Sequence, residues 1–254
     1  EVYINLLRNY PRVNRVYNNL SDSYQLVIKE ICFEMAQGML IFATKTVETK
    51  EDYNEYCHYV AGTVGQGLSK IFVASGLESK VYLDKMDLSN DMGLFLQKTN
   101  ITRDFFEDID EGRFFWPTEI WENYTSNLSD LKTYNTAPRS VACLNKMVEN
   151  ALGHFGDTIS YLEGLENENI FRFCAIPQVM AIGTLSLVFN NHEALVSNVK
   201  MSKGTTLEIF AQLNTIQDFA KYAIQFMDAF DLNESDVTTE VILNSYKLHL
   251  NKYL

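Results

Sequence analysis

The sequence predicts an all-α fold, and three observations carry that expectation. Apolar residues recur at intervals of three and four along most of the chain, which is the period of a helix with one buried face. Proline and glycine are sparse, 4 and 12 in 254 residues, so the punctuation that a strand-and-turn fold needs is lacking. Hydrophobic residues make up 46%, enough for a sizeable core. No repeat, low-complexity tract or shift in composition divides the chain, and a single domain over residues 1–254 is expected.

The elements follow in order. Residues 24–46 carry Leu26, Val27, Ile31, Met35, Met39 and Phe42 at helical spacing, with Asp22 placed to cap them. Residues 51–72 continue with Tyr56, Tyr59, Val60, Val64, Leu68 and Phe72. The small residues Ala61, Gly62, Gly65 and Gly67 let a neighbouring helix or a ligand approach. A third helix is predicted over 89–110, with Gly112 as its stop. Arg113-Phe114-Phe115-Trp116-Pro117 breaks the pattern, and Pro117 opens a new segment. Two long helices are predicted over 140–164 and 169–189, the first preceded by a loop holding Pro138. The loop 200–204 leads into a last pair of helices after Thr205.

The bulk numbers exclude some functions. A net charge of −12 opposes a generic nucleic-acid surface, which needs clustered cations to replace counterions. It does not oppose phosphorylated substrates, because carboxylates hold phosphate through divalent metals. Cys32, Cys57, Cys143 and Cys174 show no CxxC or Cys/His pairing and read as small buried hydrophobes of a reducing compartment. His58, His154, His192 and His249 lack metal-ligand spacing. No signal peptide and no run of roughly 18 apolar residues is present. The chain opens at Glu1, without methionine, in helical sequence, and is expected to be a fragment.

Three constellations can carry chemistry. In the first, Gln97, Asn100, Asp104, Glu107 and Asp108 line up as a polar stripe on a helix whose other side carries Leu94, Phe95, Ile101 and Phe105. Asp104 and Asp108, one turn apart, suit magnesium, which takes one or two carboxylates and completes its octahedron with phosphate oxygens and water. DxxED by itself reads more readily as a solvated acidic face; the amides in register above it favour the metal. In the second, Tyr59 is followed by small residues, and its ring and hydroxyl can stabilise a cation or move a proton. A core tyrosine beside helix-packing glycines is the competing reading. In the third, Pro177 kinks an apolar helix between Phe171, Phe173 and Gln178, which suits a greasy pocket with one polar handle. Core packing accounts for the two phenylalanines equally. Arg103 and Arg113 can contact diphosphate or pair with nearby acids, and Lys200 and Lys203 can meet a phosphate or belong to a solvated loop.

These motifs, in this order, resemble the eukaryotic squalene synthases (farnesyl-diphosphate farnesyltransferases). The residues that carry the resemblance are Tyr56-Cys57-His58-Tyr59-Val60-Ala61-Gly62, then 91–100, then 113–117, and Phe173-Cys174-Ala175-Ile176-Pro177-Gln178-Val179-Met180-Ala181. The resemblance runs to about Gly204 and continues weakly beyond it. It implies the all-α terpenoid-synthase bundle around a central cavity, with amino-terminal helices missing. It also implies condensation of two farnesyl diphosphates to presqualene diphosphate, then NADPH-dependent reduction to squalene. By position, Asp104, Glu107 and Asp108 would hold magnesium and diphosphate. Tyr59 would serve the first half-reaction, and Phe171 and Phe173 would shield the cation of the second. Asn100, Lys200 and Lys203 would meet NADPH, and Gln97, Arg103, Arg113 and Gln178 the substrate.

Two departures bear on activity. The family's lysine-x-arginine-lysine-glycine loop reads Lys200-Met201-Ser202-Lys203-Gly204, with serine in place of arginine. The family's first aspartate-rich motif and its hydrophobic carboxy-terminal anchor have no counterpart here, so the fragment alone is expected to be soluble and inactive. A full-length protein of this kind is expected to be monomeric and held by that anchor on the cytoplasmic face of the endoplasmic reticulum, with no nucleic-acid partner. Two alternatives remain: a phytoene- or dehydrosqualene-type synthase working without NADPH, and a non-catalytic prenyl-diphosphate-binding scaffold.

Overall fold

The computed structural model describes residues 2–133, 137–234 and 236–254, with the side chain of Val2 left out; Glu1, on which the fragment expectation rests, lies outside them. The described residues contain helices and no strand. They form α1 (Val2–Asn18), α2 (Asp22–Phe42), α3 (Lys50–Cys57), α4 (Thr63–Ala74), α5 (Met86–Arg103), α6 (Phe105–Asp110) and α7 (Thr118–Trp121). There follow α8 (Ala137–Leu152), α9 (Phe155–Glu163), α10 (Glu168–Val188), α11 (Lys203–Gln212), α12 (Ile216–Asp228) and α13 (Val237–Leu250).

Helix α5 is the axis of the bundle, with α3, α4, α8, α9 and α10 all packed on it. Its sequence explains the position: Leu94, Phe95 and Ile101, and Phe105 at the start of α6, are buried as their spacing predicts. Phe95 meets Phe155 of α9 with ring centroids 5.0 Å apart, and Phe105 meets Trp116 at 4.5 Å. Each such side chain stabilises the fold by about 1.5–3 kcal/mol through removal from water. Helix α10 is apolar and long enough to cross a membrane by composition, but most of it is buried between α5 and α12, so it serves as a core helix.

Several boundaries differ from the sequence expectation, each for a local reason. The helix predicted over 51–72 contains one π turn, His58–Gly62, between α3 and α4. There the backbones nearly touch: a Cβ on Gly93 of α5 would lie 2.5 Å from the Ala61 carbonyl oxygen and 2.8 Å from the Gly62 nitrogen. The helix predicted over 89–110 breaks at Asp104, whose φ of −90° and ψ of 12° close α5 and open α6. That over 140–164 turns a corner at Gly153 and His154, and Pro138 lies in the first turn of α8 rather than in a loop. Three helices, not two, follow Ser202; α12 begins with a Thr215/Asp218 capping box.

Two expectations about burial are corrected. In α2 the inward stripe is Val27, Ile31, Met35, Gly38 and Phe42, whereas Leu26 and Met39 point outward and Ser21, not Asp22, stands at the cap position. Cys57, Cys143 and Cys174 are buried, and burial pushes each thiol up to about 12; Cys32 is exposed.

Candidate functional site

Helices α5 and α10 enclose a trough with two chemical ends. The apolar end holds about 250 Å³ and is lined by Val60, Ala61, Val64 and Leu68 on one side and by Met92, Gly93, Phe173 and Gln178 on the others. The other end, about 260 Å³, is lined by Thr99, Asn100, Arg103, Ile176, Met180 and Phe210. Leu96 and Pro177 line both, which joins them into one groove along α5. Glycine at 62, 65 and 93 lets the walls come close: a Cβ on Gly65 would meet the Ser89 carbonyl oxygen at 2.2 Å.

Phe173 is 58% exposed, lies in the apolar lining and makes an edge contact with Phe72 at 6.2 Å. Phe171, two residues earlier and therefore about 200° around the helix, is buried and lines a different depression, beside Leu162 and Ile216. The structure does not bring the two rings together. Gln178 is 1% exposed; its amide nitrogen donates to the Met92 carbonyl at 3.4 Å, and its Oε1 has no partner. Tyr59 packs against α2, where a Cβ on Gly38 would collide with its ring and Phe42 stands 6.5 Å away; it is not in the lining of the trough.

Beyond the polar end of the groove lies the acidic motif. Asp104 accepts from Arg103 Nε at 2.7 Å and Nη2 at 2.5 Å, one bond to each carboxylate oxygen. Asp108 is buried, and its Oδ1 accepts from Arg113 Nε at 3.0 Å and Nη2 at 2.7 Å. Burial raises the Asp108 pKa, and the Arg113 guanidinium opposes that rise. Arg113 also pairs with Glu111. Glu107 accepts from Asn198 Nδ2 at 2.6 Å, and Lys200 Nζ lies 4.0 Å from the same oxygen. Gln97 is half-buried on the groove helix. Lys203 is the exposed first residue of α11; Ser202, where the resembling family has arginine, caps that helix by accepting from the Thr205 backbone at 3.0 Å.

The donor set suits magnesium. It offers hard carboxylate oxygens one turn apart, but among the described residues no group of three or more His, Cys, Asp or Glu side chains is arranged to hold a metal ion by itself. Phosphate oxygens and water would have to complete the shell, as they commonly do for magnesium.

Comparison with known proteins bears on what this groove is. The family model described as squalene/phytoene synthase matches residues 3–205. The chain belongs to that family. It is 46% identical over 240 residues to squalene synthase 3 of Panax ginseng, which covers 92% of this chain and 57% of the relative. It is 43% identical over 223 residues to squalene synthase of Rattus norvegicus, covering 88% of this chain and 54% of the relative. A solved structure, the complex of TcSQS with the ligand E5700, superposes with a TM-score of 0.96 at 44% identity, over 98% of this chain and 75% of that one. The chain thus spans a little over half the length of the curated relatives it matches. The all-helical architecture expected of the family is the one observed.

Some residues around the family's groove escape sequence reading. Asn198 holds Glu107 and carries no signal beyond standing two residues before Lys200. Tyr56 stacks on Phe115 with centroids 5.1 Å apart beside Asp108 and Arg113, and burial pushes its hydroxyl up to about 12. Phe210 closes the polar end from α11. Lys98 sits at a core position of α5 with 1% exposure. Its signal was available: it falls on the face of Leu94, Phe95, Ile101 and Phe105.

Proposed function

We propose that the protein carrying this chain is a squalene synthase, which joins two farnesyl diphosphates head to head into presqualene diphosphate and reduces that product with NADPH to squalene for sterol biosynthesis. The observation that supports this reading is the two-ended groove: an apolar wall with one exposed aromatic ring leads to two arginines and an acidic motif. A prenyl diphosphate has the same division, a long apolar tail and a doubly ionisable head.

Asp104 and Asp108 hold the metal, with Glu107 in support, and Arg103 and Arg113 take the phosphate oxygens in bidentate fashion. Magnesium, when bound, neutralises charge on the departing diphosphate. The face of Phe173 stabilises the developing carbocation, and the apolar lining around it keeps out water, which would quench the cation to an alcohol. Phe171 contributes by holding α10 in place. Gln178, whose Oε1 has no partner, orients the chain of the substrate at the apolar end; Tyr59 and Gln97, outside the trough lining, keep their roles in proton transfer and substrate contact on the family resemblance alone. The nicotinamide cofactor, when bound, supplies hydride for the second half-reaction. Asn100 at the polar end, Lys200 beside Glu107 and the exposed Lys203 would meet its phosphates. We assign the full-length protein, as a monomer, to the cytoplasmic face of the endoplasmic reticulum membrane.

One observation favours the second reading, a phytoene- or dehydrosqualene-type synthase. Ser202 is engaged as a helix cap and offers no charge to a cofactor phosphate. Product analysis of the complete gene product with farnesyl diphosphate and magnesium separates the two. Squalene appearing only with NADPH is the expected outcome; the same hydrocarbon with and without NADPH overturns the reductase. Asp104→Asn is expected to lower turnover at least a hundredfold with the helical circular dichroism unchanged. No turnover in the unaltered protein, with prenyl diphosphate still bound, identifies a scaffold instead.

A further inference from the structure

The groove helix carries a buried charge on its back, away from the trough. Met92, Leu96, Asn100 and Arg103 follow one another along α5 at intervals of three and four, and all four line the trough. Asp91, Phe95, Lys98 and Thr102 follow at the same intervals on the other face. There the Lys98 ammonium donates to Asn54 Oδ1 of α3 at 2.5 Å, to Asn150 Oδ1 of α8 at 2.7 Å and to His154 Nε2 at 2.7 Å. His154 Nδ1 meets Asp91 Oδ1 at 2.9 Å, which places the imidazole proton on Nδ1 and leaves Nε2 as an acceptor. Asp91 in turn shares a hydrogen bond with Asp157 of α9.

A count of donors decides what this site accepts. Three acceptors converge on one nitrogen, and an ammonium has three donors. A neutral amine has two donors and a lone pair, so one acceptor would face that lone pair, and a buried acceptor left without a donor is costly. Loss of the proton therefore frees α5 from α3, from α8 or from the α8–α9 corner, all packed on it. The other titratable groups bearing on the ammonium are Tyr53 and Cys57 of α3, Asp91, His154 and, beyond Asp91, Asp157. Burial holds the Tyr53 hydroxyl and the Cys57 thiol neutral, which leaves Asp91 as the balancing anion. Burial also pushes Lys98 down to about 8, with Cys57 and Asp91 opposing, so its proton is lost under mildly alkaline conditions.

We propose that Lys98 is a positioning residue: its ammonium, balanced by Asp91 through His154, holds α5 in the rotation that the groove needs, and ligand binding in the groove weakens when that proton leaves. The proposal rests on the reading of the groove as a prenyl-diphosphate site. It does not oppose a fold that gains stability at high pH, because the neutral amine is the cheaper form to bury yet ties α5 to one neighbour fewer.

The test is binding, read without turnover. A thio analogue of farnesyl diphosphate, with sulfur in place of the oxygen that joins chain to phosphate, is titrated into the complete gene product by calorimetry. Magnesium is saturating and the pH runs from 7.0 to 9.5. The ammonium is present at the lower end and lost at the upper, so affinity of the unaltered protein is expected to fall by about tenfold across the range. Lys98→Met is expected to bind about fivefold or more weakly at pH 7.0 and to show no further fall. Asp91→Asn keeps the accepting oxygen and removes the charge, and its fall is expected at lower pH by about half a unit or more. A side chain that only fills space would leave that profile where it is. Affinity that does not change with pH in the unaltered protein overturns the proposal. So do coincident profiles for the unaltered protein and Asp91→Asn, a comparison that holds even if Lys98→Met does not fold. Absence of binding at every pH is a different failure: it removes the prenyl-diphosphate reading of the groove, and this proposal with it.

Discussion

Phe171 and Phe173 show how much a single residue's role depends on its azimuth around a helix. Both are aromatic, both belong to the same short motif, and from the sequence both suit an apolar pocket. In α10 they diverge: Phe171 is 5% exposed within the core, and Phe173 is 58% exposed in the trough wall. Phe171→Ala should therefore destabilise the chain by about 3–5 kcal/mol, the usual cost of removing a buried ring. Phe173→Ala should change stability by less than about 1 kcal/mol, as most exposed positions do, while reducing squalene formation by the complete gene product. Urea denaturation of the two variants checks the first half. Comparable losses of stability would show that Phe173 is a core ring after all. The stripe of Gln97, Asn100, Asp104, Glu107 and Asp108 was legible in the sequence because its residues follow helical spacing, although the structure divides them between α5 and α6 at Asp104. Pairing with nearby acids was one of the two readings the sequence gave Arg113, and its bonds to Asp108 match it; that Asn198 holds Glu107 was not legible, because it reaches the stripe from a distant loop.

At the scale of elements, periodicity located most helices but not their irregularities. The π turn at His58–Gly62, the break at Asp104 and the corner at His154 each interrupt a stretch that reads as continuous helix. Each is held by a contact from elsewhere: Gly93 against Ala61 and Gly62, Phe105 against Trp116, and His154 with Asp91 at 2.9 Å. The approach of α5 to the π turn gives a sharp expectation. Gly93→Ala places a methyl group 2.5 Å from a backbone oxygen that cannot rotate away, and overpacking of this kind costs about 1–3 kcal/mol. Gly204→Ala, whose added Cβ would sit 3.7 Å from the nearest atom, is the matched control and should be near neutral. Thermal melts of the pair decide it, and equal midpoints would mean that the close approach relaxes at no cost.

For the whole molecule, the telling feature is the polar network around Lys98. Its ammonium donates to Asn54 of α3 at 2.5 Å, to Asn150 of α8 at 2.7 Å and to His154 Nε2 at the α8–α9 corner at 2.7 Å. It also lies 5.1 Å from the centre of the Tyr53 ring. One side chain thereby ties α3, α5, α8 and α9 together directly behind the groove. Burial pushes Lys98 down to about 8, with Cys57 and Asp91 opposing. Between that value and the ordinary lysine value of 10.5 the unfolded chain holds a proton that the folded chain has released. Stability from this group therefore rises with pH across that window, by on the order of 1 kcal/mol per pH unit. Urea unfolding of the wild type and of Lys98→Met at pH 7.5, 8.5 and 9.5 should give curves that diverge as pH rises. Parallel curves would show that Lys98 titrates normally.

What the sequence by itself determined is the class of fold, the order of the family motifs and the buried face of α5, because helical periodicity and capping depend on residues within a turn or two of one another. It also placed the acidic motif in that family, and the match over residues 3–205 bears this out. The tertiary structure alone decided which carboxylate holds which arginine, that Phe173 and not Phe171 faces the trough, and that a lysine sits buried behind the site. Those pairings join residues on different elements, and the 44 to 91 positions between Lys98 and Asn54 or Glu107 and Asn198 are crossed only when the helices pack. Relative helix orientation is set by the sum of many apolar contacts, and no local pattern encodes it.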